Sequence, residues 1–253
     1  MPPAPTTRTV AVHLLPELVE PQQLAGKTAV VIDVLRATTT VVTALACGAR
    51  EVWPFLNVDD ARAKAKAAGD NVLLGGERGG LRIEGFQLGN SPAEYNERMV
   101  RDRTVIFTTT NGTKAMQRCK LAKRVLIAGF VNLSAICREL ADETEIDIVC
   151  AGTDGHVTRE DTLLAGAMVD DLSRATGVTL ITNDQADIAA DAWRSAVGDL
   201  TGSSPLGQAL RASRGGRNLI DIGHENDIDL AAQIDQFDLV AELDLTTWRI
   251  TAK

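Results

Sequence analysis

The sequence predicts an α/β fold: a layered α/β/α arrangement around a mostly parallel sheet. Short apolar runs alternate with helix-length segments along the 253 residues, the pattern of repeated βαβ units. Hydrophobic residues make up 45% of the chain and aromatic ones only 4%. The core is therefore built from Ala, Val, Leu and Ile, the mix expected of parallel strands covered by helices. Right-handed crossovers place those helices on both faces of the sheet, and a chain of this length buries a sizeable core.

The strands are read in order as TVAVHLL, TAVVID, EVWPF, NVLLGG, TVIFTT, RVLIAG, IDIVCAG and FDLVAEL. The segment VVTALACG is read as a helix leaving at Gly48. Asp59 and Asp60 open the helix ARAKAKAA, whose alanines favour it and whose Lys and Arg form a solvated face. Ser91, Pro92 and Glu94 form a capping-box signature that predicts a helix through Met99. Glu160 and Asp161 stand in the first turn of another helix, LLAGAMVDDLSRA. The chain is read as one enzyme unit, 1–253, with a seam near residues 120–123 between two similar α/β halves, 1–121 and 122–253. Only the Pro-rich first five residues and a turn at TGSSPLG read as low-complexity or linker-like.

The net charge of −8, without a dense run of Lys or Arg, argues against a nucleic-acid partner. An acidic chain still binds an anion where Arg side chains and helix starts focus positive charge. No run of 18 apolar residues and no signal-like N-terminus occur in the sequence, so no membrane partner and a cytoplasmic location are expected. Cys47, Cys119, Cys137 and Cys150 form no CxxC pair and are read as reduced thiols of the core. His13, His156 and His224 match no metal-ligand spacing. Oligomeric state is left open, a homo-oligomer included.

In open parallel sheets ligands bind at the carboxyl ends of the strands, which directs attention to the residues after each apolar run. After TAVVI come Asp33 and Arg36, then Thr38, Thr39 and Thr40 at a helix start. A carboxylate there can hold a hard cation through oxygen, and the guanidinium can clamp a phosphate. The alternative is that Asp33 caps the helix and Arg36 pairs with it. After NVLLG comes a glycine-dense loop carrying Glu77, Arg78, Arg82, Glu84, Asn90 and Ser91. Loops of this length in compact domains commonly bind something, and glycines let backbone approach a ligand.

After TVIF come Thr109, Thr110, Asn111, Gly112 and Thr113, with Lys114 beyond them. Hydroxyls, an Asn-Gly turn and fresh N–H groups at one spot make an anion cradle, with simple capping by Thr and Asn as the alternative. Asn132 repeats the pattern of a strand followed by an amide at a helix start. Glu160 and Asp161 are favoured in a first helical turn by the helix dipole alone. In company with Asp33 and Glu77 they supply enough carboxylates to coordinate Mg²⁺.

Taken in order, IDVLRATTT (32–40), GGERGG (75–80), GFQLGNSP (85–92), TTTNGTKA (108–115), CAGT (150–153) and EDTLLAG (160–166) resemble the ComB family of 2-phosphosulfolactate phosphatases. The match covers roughly residues 28–170. IGHENDIDLAAQID is similar to that family's acidic segment near the end, whereas LDLTTWRITAK departs from its usual close. The resemblance implies a Mg²⁺-dependent hydrolase that releases sulfolactate and inorganic phosphate from a small anionic phosphorylated substrate, on a route towards coenzyme M. On it, Asp33, Arg36 and Asp161 are expected to be catalytic, and Asp33, Glu77, Glu160 and Asp161 to hold metal. Arg36, Thr38, Thr39, Arg78, Asn90, Ser91, Thr109, Thr110, Asn111, Gly112, Thr113 and Asn132 are expected to bind the substrate. The readings weighed against it are a phosphatase of another small phosphorylated carboxylic acid and a non-catalytic domain that binds a phosphorylated metabolite.

Overall fold

The computed structural model describes residues 6–174, 177–198 and 205–253. The Pro-rich start and the first part of the TGSSPLG turn lie outside them. From the N-terminus, β1 (Thr6–His13) and β2 (Thr28–Ile32) precede α1 (Ala37–Ala46), β3 (Glu51–Pro54) and α2 (Val58–Ala68). Next come β4 (Val72–Arg78), β5 (Leu81–Arg82), α3 (Glu97–Val100), β6 (Thr104–Thr108), α4 (Gly112–Arg118), β7 (Arg124–Ala128) and α5 (Leu133–Glu139). The remainder is β8 (Glu145–Cys150), α6 (Arg159–Ser173), β9 (Val178–Thr182), α7 (Asp184–Gly198), α8 (Pro205–Arg211), α9 (Arg214–Asp221), α10 (Asn226–Ala231), β10 (Ala241–Asp244) and β11 (Arg249–Ala252).

Among the described residues all strands join one 11-stranded sheet in the order β5-β4-β6-β3-β11-β10-β7-β2-β8-β1-β9. One parallel block is β4-β6-β3 and the other is β7-β2-β8-β1-β9. The C-terminal hairpin β10–β11 stands between them, pairing antiparallel with β7 on one side and β3 on the other. Strands from before and after residues 120–123 interleave in the sheet, since β1 and β2 lie among β7, β8 and β9. The antiparallel steps from β3 through the hairpin to β7 reverse the direction of one block relative to the other. In a flat sheet their carboxyl ends would lie on opposite edges. Residues at or after the carboxyl ends of β2, β4, β6 and β8 nevertheless line one cleft.

The β2 strand is buried at every position, and its alternate residues serve two cores. Val30 and Ile32 pack with Leu126, Ile148, Leu164 and Met168 on one face, while Ala29 and Val31 pack with Val41, Val125 and Met116 on the other. This is the helix–sheet–helix layering that the near-continuous apolar runs imply. The hairpin is fastened by Arg124, which lies between Glu139, Glu143 and Glu242. Cys119, Cys137 and Cys150 are buried, Cys47 is half-buried, and all four are free thiols. Among the described residues no helix is long and apolar enough to cross a membrane.

Several local readings are corrected. The segment after Ser91 is a 3-10 turn at Pro92–Glu94, followed by a short α3 capped by the Asn96 side chain. Ser91 makes no side-chain cap bond there, and the Glu94 carboxylate accepts instead from the Gly89 N–H. FDLVAEL contributes only its end to β10, and β5, β9 and β11 were not anticipated. They are short or alternating segments, stabilised by neighbours that local periodicity does not reveal.

Candidate active site

The site grows from the turn between β2 and α1. The Thr38 hydroxyl donates to the Asp33 carbonyl and accepts from the Asp33 N–H, and the Thr39 hydroxyl donates to the Val34 carbonyl. These bonds fix Asp33 at the strand end. Its Oδ1 accepts the Ala37 N–H at 3.2 Å. Its Oδ2 faces Gly112, where a Cβ would stand 2.8 Å away. Gly112 is thus required by the close approach of the carboxylate.

Asp33 opens on a cleft of about 380 Å³ whose wall also holds Arg36, Glu77, Asn90, Thr109, Thr110 and Asn111. Glu77 ties two loops together: Oε1 accepts the Thr110 N–H at 2.7 Å and Oε2 accepts the Gly80 N–H at 2.8 Å. The Gly80 carbonyl in turn accepts from Arg36 Nη2 at 2.6 Å. The Asn111 and Gly112 N–H groups donate to nothing among the described residues. Thr110 Oγ1 and Asn90 Oδ1 are buried without a hydrogen-bond partner among the described residues. Orphaned polar atoms of this kind are uncommon in folded proteins, and these two belong to residues that line the same cleft.

Other expected site residues are committed elsewhere. Arg78 donates to the carbonyls of Glu77 and Leu56 and to the Thr108 hydroxyl, and it does not line the cleft. Asn132 is fully buried; its amide donates to the carbonyls of Ile127 and Leu239, and its Oδ1 accepts the Gly129 N–H. That residue builds the start of α5 instead of the cleft. The Thr113 hydroxyl supports Thr109 from behind, and Thr38 and Thr39 hold the Asp33 turn. Ser91 donates to Asp227 at 2.6 Å. Lys114 is exposed and outside the cleft wall.

Glu160 and Asp161 lie behind the cleft wall. Asp161 accepts the N–H groups of Val34 and Gly152, each at 2.9 Å, and so knits the ends of β2 and β8. Glu160 Oε1 accepts the Gly215 N–H at 3.1 Å, while its Oε2 is buried without a partner among the described residues. Of the four carboxylates expected to hold metal, Asp33 and Glu77 line the cleft and Glu160 and Asp161 do not; among the described residues no three His, Cys, Asp or Glu side chains stand close enough to share one ion.

These acids strain one another electrostatically. Burial, reinforced by the negative charges of Glu77 and Glu160, pushes the Asp33 carboxyl up to about 7. Burial and the charges of Asp33 and Glu160 hold Asp161 well above the usual carboxylate range, and burial raises Glu160. A cation in the cleft would relieve this repulsion.

One wall of the cleft was missed by sequence reasoning. Gly215, Asn218, Leu219 and Ile222 face it at the i, i+3, i+4, i+7 spacing of a helical stripe. That periodicity is readable, but nothing local says that the stripe faces a cleft. Gly215 is glycine because a Cβ would stand 2.1 Å from Glu160 Oε1. Asp154 and Asp221 complete the wall.

The family described as 2-phosphosulpholactate phosphatase matches residues 13–245. A probable 2-phosphosulfolactate phosphatase of Symbiobacterium thermophilum is 43% identical over 215 residues, covering 84% of this chain and 89% of the relative. One of Thermotoga maritima is 39% identical over 219 residues, covering 86% and 89%. Another, of Deinococcus radiodurans, is 43% identical over 219 residues, covering 85% and 87%.

Proposed function

Because this chain belongs to the 2-phosphosulpholactate phosphatase family, a family of phosphomonoester hydrolases, we propose that it hydrolyses 2-phosphosulfolactate to sulfolactate and inorganic phosphate with Mg²⁺ as cofactor. The observation that carries the reading is the clustering of uncommitted groups on one cleft wall. They are the Asp33 Oδ2 facing Gly112, the free N–H groups of Asn111 and Gly112, the orphaned Thr110 hydroxyl and the uncommitted Asn90 amide. A phosphoryl group needs several donors around its oxygens, fixed before it arrives. The N–H groups, the Thr110 hydroxyl and the remaining N–H bonds of Arg36 supply them. The Asn90 amide and the α9 wall, with Asn218 beside Leu219 and Ile222, are left for the acid part of the substrate.

The donor set fits Mg²⁺ in the manner usual for that ion. That ion commonly takes one or two protein carboxylates and otherwise binds through water and substrate oxygens. Asp33 and Glu77 are the two carboxylates that would hold it. When bound, the ion neutralises phosphoryl charge and polarises the bond to be broken. The Asp33 and Glu77 carboxylates would otherwise repel an anionic substrate. Water adds to phosphorus, the ester oxygen leaves with a proton as the sulfolactate hydroxyl, and on this reading the product joins a route towards coenzyme M.

The test is phosphate release from 2-phosphosulfolactate and from 2-phospholactate, each with Mg²⁺ and with chelator. Faster release from the sulfonated substrate, dependent on Mg²⁺, is expected. Preference for phospholactate would reassign the substrate, and full turnover in chelator would remove the cofactor.

A further inference from the structure

We propose that Asp227, in α10, is a positioning residue for Arg36, setting the angle at which that guanidinium is presented to the cleft. Asp227 is 2% exposed and does not itself line the cleft. Its Oδ2 accepts from Arg36 Nη1 at 2.7 Å and its Oδ1 accepts from Ser91 Oγ at 2.6 Å. His224 Nδ1 lies 3.5 Å from the same Oδ2. At the other tip of the fork, Arg36 Nη2 is held by the Gly80 carbonyl at 2.6 Å.

A planar guanidinium pinned at both terminal nitrogens has no rotation left, so its orientation is decided by these two contacts. Among the described residues the side-chain hydrogen bonds of Arg36 are these two. Arg36 is 3% exposed, so its charge is almost wholly removed from water. Without Asp227 it would be an unpaired buried cation, and its side chain would move to find another acceptor. Ser91 locks the carboxylate from the opposite side, so that α10 is coupled to the turn after β2.

This inference rests on the reading that Arg36 contacts the phosphoryl group, and the experiment separates the two. It measures kcat and KM for phosphate release from 2-phosphosulfolactate with Mg²⁺, and inhibition by inorganic phosphate. The variants are Arg36→Ala, Asp227→Ala, Asp227→Asn and Arg36→Ala combined with each Asp227 change. A misplaced contact group costs on the order of 100-fold in rate, and Asp227→Ala is expected to lose about that much of kcat/KM. Asp227→Asn can still accept from Arg36 through Oδ1 and donate to Ser91 through Nδ2. It is expected to recover about ten-fold of the loss and to keep a several-fold deficit, because the charge of the pair is gone. On the Arg36→Ala background neither Asp227 change is expected to cost more, because the two residues act as one unit.

Full activity in Asp227→Ala beside an impaired Arg36→Ala overturns the inference and leaves the Arg36 reading standing. So do equal losses in Asp227→Ala and Asp227→Asn, or losses that add to that of Arg36→Ala. Wild-type kinetics in Arg36→Ala overturns the Arg36 reading itself, and the inference with it. Should Asp227→Ala fail to fold, Asp227→Asn carries the test. A several-fold loss that vanishes on the Arg36→Ala background supports the proposal, and no loss, or one that persists there, overturns it.

Discussion

Asp33→Asn is expected to make the metal-free protein more stable while removing its activity. Asp33 has a folded pKa of about 7 against the ordinary 3.8. At about 1.4 kcal/mol per pH unit, holding it ionised in the folded protein costs on the order of 4 kcal/mol above pH 7. The raised value fixes the direction: the favourable contribution of the protonated carboxyl is complete below about 3.8 and is lost as pH rises towards 7. Asn keeps an acceptor for the Ala37 N–H but turns an amide donor towards Gly112, so about half of the gain should be realised, roughly 2 kcal/mol. For a chain of this size that raises the thermal midpoint by about 4–8 °C. The assay is thermal unfolding in chelator from pH 4 to 8, paired with phosphate release in Mg²⁺. The two midpoints should be similar at pH 4 and separate as pH rises, while Asp33→Asn turnover falls by at least about 100-fold. Equal midpoints at pH 8, or near-normal turnover in the variant, would refute the account of Asp33 as a charge maintained for function.

Further outcomes follow from the same geometry. Gly112→Ala places a Cβ 2.8 Å from Asp33 Oδ2 and 2.7 Å from the Ala37 Cβ, so steady-state kinetics should show a loss of at least about ten-fold in kcat/KM. Asn90→Ala removes a side chain whose Oδ1 has no hydrogen-bond partner among the described residues, and leaves the main-chain carbonyl that accepts from Thr40. Its thermal midpoint should change little, while KM rises about ten-fold, the equivalent of one lost contact of ~1.4 kcal/mol. Arg78→Ala should do the reverse: three acceptors lose their donor, stability falls by about 1–3 kcal/mol in denaturant titration, and kcat stays within a few-fold. Mg²⁺ should raise the midpoint of the wild type and much less that of Asp33→Asn, as read by thermal shift across a Mg²⁺ titration.

The sequence by itself determined the α/β layering and the positions of most strands, because burial on both sheet faces leaves a continuous apolar run that needs no knowledge of neighbours. It also marked Asp33, Glu77 and the 109–112 turn, since polar residues placed after such runs stand at strand ends, and Asn90 through the glycine-dense loop that carries it. What the tertiary structure alone decided is the state of each polar group. Arg78, Asn132 and Asp161 carry the same local signature as Arg36, Asn111 and Asp33, yet their hydrogen bonds go largely to backbone brought in from elsewhere. The β10–β11 hairpin that separates the two parallel blocks comes from the far end of the chain, as does the α9 wall. Asp227 meets Arg36 across 191 positions. Local periodicity reports which face of an element is apolar, whereas a hydrogen bond is a property of two groups. When the second group is distant in sequence, only the packed fold determines whether the first is committed or left facing the cleft.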